Sequence, residues 1–204
     1  MGFHGSPPTP PTNIAKLGFP DCARFAAASG PRDRGLLVSP SGGVRDAFVW
    51  IAGGLPDGEY PLPAEPITLD QRACEFEPRV FGIRAGQRLV VTSSDPFLHN
   101  VHGATAFNVP LPTAGARVER TFPRPGVMTP IFCDVHNWMH AFAGVVPHPF
   151  WAITDEGGGF TIRRLPAGRY TVEVWQERLG VRHAGVTLVG NETRTISIDY
   201  TGAP

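Results

Sequence analysis

The sequence predicts an all-β protein, and three observations support this prediction. Helical periodicity is almost absent, and only residues 21–29, DCARFAAAS, favour a short helix. Glycine and proline, 24 and 22 of the 204 residues, punctuate the rest of the chain. They recur about every 8–12 residues, a spacing typical of short strands joined by turns in sandwiches and barrels. Between these breaks, apolar and polar residues alternate.

The clearest alternation lies near the carboxyl end of the chain. Tyr170, Val172 and Val174 fall on one face of a predicted strand, with polar residues between them. Residues 196–200 repeat the pattern, with Ile196, Ile198 and Tyr200 on one face, and they predict a last strand.

The middle of the chain predicts further strands. Residues 67–96 are interpreted as two strands, a glycine turn and a third strand that ends at a Ser-Ser-Asp-Pro break. Residues 116–133 predict two strands hinged at the PRPG sequence. Pro130 lies in the second of these, and because proline cannot donate to a ladder, that strand must be an edge strand or bulged there.

Two distant runs suggest how the domains are arranged. Residues 35–54, GLLVSPSGGVRDAFVWIAGG, and residues 150–175, which include TDEGGGFTI and LPAGRYTVEV, resemble the opening and continuation of a carboxypeptidase regulatory-like, or transthyretin-like, β-sandwich. The resemblance implies one sandwich interrupted by an insert. The expected domains are an N-terminal segment with a Pro-rich linker (1–33), a discontinuous regulatory-like sandwich (34–62 and 149–204) and an inserted domain (63–148). Three consecutive pieces without an insertion remain an alternative.

Composition and charge narrow the partner classes. The 18 basic and 18 acidic residues balance to a formal charge of zero, with no run of like charge, so we expect neither nucleic acid nor an anionic membrane as a partner. No stretch approaches the roughly 20 apolar residues of a membrane span. We expect a periplasmic or otherwise exported bacterial protein whose export signal has been removed ahead of the Pro-rich opening. The oligomeric state stays open.

The three cysteines suggest one disulfide and one free thiol. Cys133 lies beside His136 and Met139, so Cys22 and Cys74 are the pair that we would join. Such a disulfide favours an oxidising compartment. Two unrelated buried thiols are the alternative, because the sequence does not show the distance between the two Cα atoms.

A cluster of metal-binding side chains lies in FCDVHNWMHAF, residues 132–142. Cys133, His136 and Met139 supply a thiolate, an imidazole and a thioether, each separated from the next by two residues. A mononuclear electron-transfer copper site uses one thiolate and two imidazoles in a plane, with a weak axial thioether. The short loop cannot surround a metal by itself, so the second imidazole is expected from PFLHNVHG, residues 96–103.

Together, LHNVHGA and FCDVHNWM resemble the cupredoxins, the type 1 blue copper proteins, and within them the amicyanin and plastocyanin type. The similarity covers roughly residues 66–147 and implies a cupredoxin Greek-key β-sandwich. Carried over by position, the copper ligands are His99, Cys133, His136 and Met139, with Met139 axial. Asn100 is implied to link the two ligand loops by hydrogen bonds, and His102 matches the family without being a ligand.

The resemblance implies a one-electron carrier that cycles between Cu(II) and Cu(I), not an enzyme, with no catalytic residues. His136 is expected to present its ring edge to solvent and to serve as the electron port, with a redox partner protein docking near it. The alternative is a periplasmic copper-binding or copper-resistance protein that sequesters or delivers the metal. Zinc is a rival for the same cysteine and histidines but has little use for a thioether. Cys133 as an enzyme nucleophile, or a metal-free structural module, are further alternatives.

Overall fold

The structure is a computed structural model that describes residues 1–5, 18–29, 34–104 and 106–201. It confirms the all-β prediction. Its one described helix, α1, spans Pro20–Ser29, where the short helix is expected. Most of the predicted Pro-rich linker lies outside the described residues. The strands are β1 Gly2–His4, β2 Leu37–Val38, β3 Val44–Arg45, β4 Phe48–Gly53, β5 Ile67–Arg72, β6 Glu75–Glu77, β7 Val80–Arg84, β8 Leu89–Ser93, β9 His99–Gly103, β10 Phe107–Leu111, β11 Arg117–Arg120, β12 Gly126–Phe132, β13 His140–Val146, β14 Trp151–Ile153, β15 Gly168–Gln176, β16 Gly180–Leu188 and β17 Asp199–Thr201.

The chain divides into two compact units. Among the described residues, the first unit contains 1–5, 34–60 and 148–201, and the second contains 18–29 and 61–147 apart from residue 105. Of the described residues in the N-terminal 33, those before the Pro-rich stretch therefore group with the first unit, and α1 groups with the second. No helix among the described residues has the length and apolar character of a membrane span.

The second unit is built from two sheets around one core. A five-stranded sheet has the order β10-β9-β12-β13-β7, and a four-stranded sheet has the order β11-β8-β5-β6. Most neighbours are antiparallel, but β13 pairs with β7, and β5 with β8, in parallel. Their inward side chains form a single apolar cluster that includes Leu69, Ile83, Leu89, Val101 and Ile131. Burying this cluster is the main favourable term that holds the unit together.

One turn of the second unit is absent from the sequence-based interpretation. The predicted strands before the glycine turn number two, whereas the structure has three, because β5 and β6 form a hairpin at Ala73 and Cys74. Both turn residues have positive φ, 54° and 58°. Glycine and asparagine adopt that conformation most readily, and neither is present at these two positions, so the residues there do not predict a turn. The backbone N–H groups of both residues donate to the carboxylate of Asp95, at 2.8 and 2.9 Å, which holds the turn.

Pro130 is accommodated as the sequence predicts. β12 lies between β9 and β13, but its pairing with β9 begins only at Ile131, so the ring of Pro130 faces no partner strand on that side. Toward β13 the register shifts between Gly126 and Thr129, and Met128 has φ of 58°. The strand is thus bulged just before Pro130 and regular from there to Phe132. The loop of predicted ligands, residues 133–139, begins directly after it.

The first unit contains a four-stranded sheet with the order β14-β4-β15-β16, a parallel β1-β17 pair and a short β2-β3 pair. In β15, Tyr170, Val172 and Val174 are buried as predicted. The final predicted strand is shorter than expected: the strand covers only Asp199–Thr201, although Ile198 is buried beside it. The hydroxyl of Tyr170 donates to the carbonyl of Pro166 at 2.8 Å and ties β15 to the loop before it.

Candidate metal centre

The loop from Cys133 to Met139 is closed at its base by the sheet. Phe132 and His140 are directly paired across β12 and β13, so the seven residues between them form a hairpin loop. Within it, the Cys133 N–H donates to the Met139 carbonyl at 3.2 Å, and the Met139 N–H donates to the His136 carbonyl at 2.9 Å. These bonds turn three side chains inward, and Cys133, His136 and Met139 are 2%, 4% and 0% exposed.

His99 reaches the same place from β9. It is the first residue of that strand, fully buried, and pairs with Leu111 of β10. The buried amide of Gln71 donates to the carbonyl of Asn100 at 2.8 Å, which fixes the start of β9 against the opposite sheet. Because β9 also pairs with the end of β12, where Phe132 opposes His102, His99 and the ligand loop lie at the same end of the sheet.

Three of the predicted ligand atoms converge on one point. The Cys133 Sγ lies 3.9 Å from His99 Nδ1 and 3.7 Å from His136 Nδ1, and the two Nδ1 atoms are 3.0 Å apart. A metal about 2.0 Å from each nitrogen and about 2.3 Å from the sulfur requires N···N distances of about 3.0–3.5 Å and N···S distances of about 3.6–3.9 Å. The triangle therefore has the dimensions of a single metal site. Met139, the fourth predicted ligand, lies in the same loop as Cys133 and His136 and is fully buried.

The outer nitrogen of His99 is held by a carboxylate. His99 Nε2 lies 2.9 Å from Oδ2 of Asp95, four residues earlier, and both side chains are almost completely buried. Metal-ligating histidines commonly donate their second N–H to such a group, which fixes the ring and its tautomer. Since Asp95 also accepts from Ala73 and Cys74, one carboxylate positions His99 and the β5–β6 turn together.

The surroundings of Cys133, the free cysteine, favour its thiolate form. Burial alone would raise the pKa of Cys133, but hydrogen bonds from His136 and His99 and from backbone N–H groups lower it to about 6. The thiolate is the form of cysteine that binds metals, and a pKa of about 6 means that Cys133 is largely in this form at neutral pH. For His99 the effects have the opposite sign. Burial alone would lower the pKa of His99, but its interactions with Asp95 and Cys133 raise that pKa above the ordinary value.

Asn100 joins the two ligand segments, as the resemblance implies. Its Oδ1 accepts from the Asp134 N–H at 2.6 Å, and its Nδ2 donates to Asp134 Oδ2 at 2.9 Å. Asn108 donates to the same carboxylate oxygen at 2.9 Å, and His102 Nδ1 lies 3.1 Å from Oδ1. Asp134 thus binds three side chains of the β9–β10 hairpin, with hydrogen bonds from His102 and Asn108 holding the pKa of Asp134 low.

The expectation that His136 presents its ring edge to solvent is wrong. His136 is only 4% exposed. The ring of Phe19, just before α1, packs edge-on against both His136 and Trp138, with centroids 5.1 Å away in each case. Trp138 is itself 8% exposed and donates its indole N–H to the Cys74 carbonyl at 3.0 Å. The aromatic ring of Phe19 therefore lies where solvent was expected.

The predicted disulfide is confirmed and lies beside the site. Cys22 of α1 and Cys74 of the β5–β6 turn are joined, with Cα atoms 5.7 Å apart. The two cysteines are 52 positions apart in sequence, and both are completely buried. The disulfide anchors the segment that carries Phe19, and through the Cys74 backbone it contacts both Asp95 and Trp138. Of these neighbours, only Asp95 could have been singled out from the sequence, because it lies four residues before His99, in the Ser-Ser-Asp-Pro break that ends the preceding predicted strand.

Comparison with known proteins gives partial likenesses. A family model described as polysaccharide lyase family 4, domain II, matches residues 130–196. Among curated proteins, none matches this chain.

Solved structures that resemble part of the chain include several copper proteins. A purple cupredoxin from Nitrosopumilus maritimus has 22% identity and a TM-score of 0.36, covering 39% of this chain and 99% of its own. Amicyanin from Paracoccus versutus has 17% identity and a TM-score of 0.36, covering 48% and 97%. A copper-containing nitrite reductase from Thermus scotoductus has 22% identity and a TM-score of 0.36. The match spans 47% of this chain but only a quarter (25%) of the reductase.

Proposed function

We propose that the second unit is a type 1 copper domain of the cupredoxin kind, and that the protein carries one electron at a time between redox partners. The observation that carries this proposal is the buried triangle of Cys133 Sγ, His99 Nδ1 and His136 Nδ1, with sides of 3.0–3.9 Å. One thiolate, two imidazoles and a thioether in the same loop are the donor set of a mononuclear electron-transfer copper site. Copper would supply the one-electron couple.

The protein's own contribution is to hold the donors still. The Asp95 carboxylate fixes the outer nitrogen of His99, and the Asn100–Asp134 hydrogen bonds join the strand of one ligand to the loop of the others. The sheets thereby set the position of His99 and of both ends of the loop that carries the other donors, so a change of oxidation state would need little movement of these groups. The buried apolar surroundings keep water away from the centre.

A partner-binding surface is proposed near His136. Three of the exposed large apolar side chains belong to the segments that build the site: Phe19, Leu98 and Val135 are 41%, 47% and 36% exposed. Transient redox complexes use small interfaces. Since His136 is covered by Phe19, a partner would contact the ring of Phe19 and reach the ligand through it.

The burial of His136 favours a second candidate function, in which the protein stores or delivers copper. A ligand 4% exposed beneath an aromatic ring would hold stored metal while the ring stays in place and would release the metal to an acceptor when the ring moves away. For either function, the Cys22–Cys74 disulfide supports an exported location. We propose that the first unit is a non-catalytic β-sandwich of the regulatory-like type and that the protein is not an enzyme.

The test of the proposed function is the visible absorption spectrum of the protein loaded with Cu(II). We expect an intense thiolate-to-copper band that Cys133→Ser abolishes and that the control His102→Ala keeps, because His102 lies outside the triangle. Met139→Leu should keep the colour and raise the reduction potential, since a soft axial sulfur tunes that potential. A band that survives Cys133→Ser, or a protein that binds zinc but not copper at this site, would contradict the assignment.

Reversible cycling separates the two candidate functions. An electron carrier keeps its copper through repeated oxidation and reduction, whereas a delivery protein gives Cu(I) to an acceptor. We therefore expect voltammetry of the oxidised, disulfide-bonded protein to show a stable one-electron wave, with no copper lost to a Cu(I) chelator during cycling.

A further inference from the structure

The disulfide of the second unit lies close to His136, a ligand of the proposed centre. The two sulfur atoms of Cys22 and Cys74 and a ring nitrogen of His136 all lie within 4.8 Å of one another, and all three residues are buried. A structural disulfide has no need to lie next to a metal-binding imidazole. Here His136 belongs to two groups of soft and borderline donors at once, one with Cys133 and His99 and one with the two disulfide sulfurs.

We propose that Cys22, Cys74 and His136 form a second copper(I) site, which comes into being when the disulfide is reduced. The inference rests on the proposed function only in that the first centre supplies the copper. Two thiolates and one imidazole are donors that Cu(I) accepts readily, because soft sulfur ligands select that oxidation state. The second site therefore takes Cu(I) as its metal.

The geometry allows this with small movements. A metal about 2.3 Å from each of two thiolates holds the sulfurs about 4 Å apart. The Cα atoms of Cys22 and Cys74 are already 5.7 Å apart, so rotation about the side-chain bonds separates the sulfurs without a shift of either chain segment. The His136 nitrogen, within 4.8 Å of both sulfurs, needs to approach by about an ångström to reach the N···S distances of about 3.6–3.9 Å that a shared metal requires.

A dithiol reductant can reduce the Cys22–Cys74 disulfide. Thiol–disulfide exchange transfers two electrons and two protons from the dithiol, so that its own disulfide forms while the Cys22–Cys74 bond breaks and leaves two thiols. Binding of Cu(I) then releases the thiol protons to solvent. The disulfide is buried, so the exchange follows local opening of the segment from Phe19 to Cys22, whose Phe19 ring is 41% exposed.

The shared histidine gives the second site a role. Because His136 belongs to both groups, the two sites would share one imidazole, and Cu(I) would need to move only a short distance to pass from Cys133 and His99 to Cys22 and Cys74. The pathway ends at Cys22 in α1, which directly follows Phe19, the residue whose ring covers His136 in the oxidised protein. Reduction of one disulfide would thus convert a protein that holds copper into one that gives it away.

The experiment uses the full chain with Cys133→Ser, which lacks the thiolate of the first centre. Cu(I) is titrated in competition with bicinchoninate, once with the disulfide intact and once after reduction by a phosphine. We expect the reduced protein to bind one Cu(I) at least about 100-fold more tightly than the oxidised protein. Equal affinities in the two states would overturn the proposal.

Two histidine variants on the same Cys133→Ser background test the third ligand. His136→Ala should weaken Cu(I) binding by the reduced protein about 10-fold or more, and the matched control His102→Ala should not. Equal affinities for these two variants would show a bare dithiol and overturn the proposed site. Circular dichroism on the same samples monitors folding, and a fold that is lost on reduction and not restored by Cu(I) would also contradict it.

The outcome is separable from that of the proposed function. If the wild-type protein shows no thiolate-to-copper band, but the reduced Cys133→Ser protein binds Cu(I) through His136, the electron carrier is wrong and the second site stands. If the band is present and reduction adds no Cu(I) affinity, the second site is wrong and the carrier stands.

Discussion

His99 and His136 present their Nδ1 atoms to the same point, 3.0 Å apart, but the protein fixes the two rings by different means. His99 starts a strand, and its outer nitrogen lies 2.9 Å from the buried carboxylate of Asp95. His136 lies in a loop and is covered by Phe19 and Trp138, whose rings contact it edge-on or tilted. One imidazole is thus fixed by a polar contact within the sheet framework, and the other by apolar contacts with a segment anchored through a disulfide.

The difference indicates which side of the centre can change. The His99 side is part of the two-sheet core and can move only if that core opens. The His136 side depends on α1, which reaches the core through Cys22. The proposed electron transfer would benefit from the rigidity of the first side, whereas the alternative, release of metal, would need the second side to open.

The largest effect is expected from Asp95→Ala. The substitution leaves the N–H groups of Ala73 and Cys74 and the outer nitrogen of His99 without their acceptor in a buried place. Unsatisfied buried donors cost about 1–3 kcal/mol each, so the free energy of unfolding should fall by about 3 kcal/mol or more. Urea denaturation of the metal-free protein measures it, with the exposed Asp57→Ala as control. A loss no larger than that of the control would show that His99 is not fixed by Asp95.

The next effect concerns the acidity of Cys133 in the metal-free protein. The ultraviolet absorption of its thiolate should titrate near the pKa of about 6, whereas the ordinary value is 9.0. Because the pKa is lowered on folding, the thiolate stabilises the fold fully above the ordinary pKa, and this contribution is lost as pH falls through about 6.

Two variants compare the histidines through this titration. The hydrogen bond from His136 lowers the pKa of Cys133 most among the side chains, followed by that from His99. His136→Ala should therefore raise the pKa of Cys133 at least as much as His99→Ala does. A larger rise in His99→Ala would reverse the comparison and assign the thiolate to the sheet side.

A moderate effect is expected from Trp138→Phe. This change removes the indole N–H that donates to the Cys74 carbonyl at 3.0 Å but keeps an aromatic ring against His136. One such hydrogen bond contributes about 1 kcal/mol, and the free energy of unfolding should fall by about that amount. Reduction of the disulfide beforehand should make the variant and the wild type more alike, because Cys74 is then less constrained.

A change in stability of a size similar to that in Trp138→Phe, about 1 kcal/mol, is expected from Phe19→Ala. Its ring is 41% exposed, and aromatic pairs of this kind contribute about 0.5–1.5 kcal/mol. Chemical modification of His136 in the metal-free protein should become faster, while the exposed control Val127→Ala should leave both stability and modification rate unchanged. An unchanged modification rate in Phe19→Ala would mean that something other than this ring protects the ligand.

The sequence predicted those features that depend on local pattern. The alternation of Tyr170, Val172 and Val174 defines a strand, and the Cys133–His136 spacing defines a tight loop. The turn at Ala73 and Cys74 was not predicted, because neither residue is typical of turns. Its positive φ angles are stabilised by tertiary hydrogen bonds to Asp95. The cover of His136 by Phe19 was not predicted either, because the predicted pairing of Cys22 with Cys74 does not show where the ring of Phe19, three residues earlier, packs.

The pairing of Phe132 with His140 makes the seven-residue loop a replaceable module. Its two ends are fixed by the β12–β13 ladder, so a longer or shorter sequence between them would alter the arc of the loop without displacing the strands on which it stands. A chimaera that carries another connection at this point should keep its sheets and change only the spacing of its donors. If the proposed copper centre is present, exchange of this single connection would be enough to change its metal affinity and its colour.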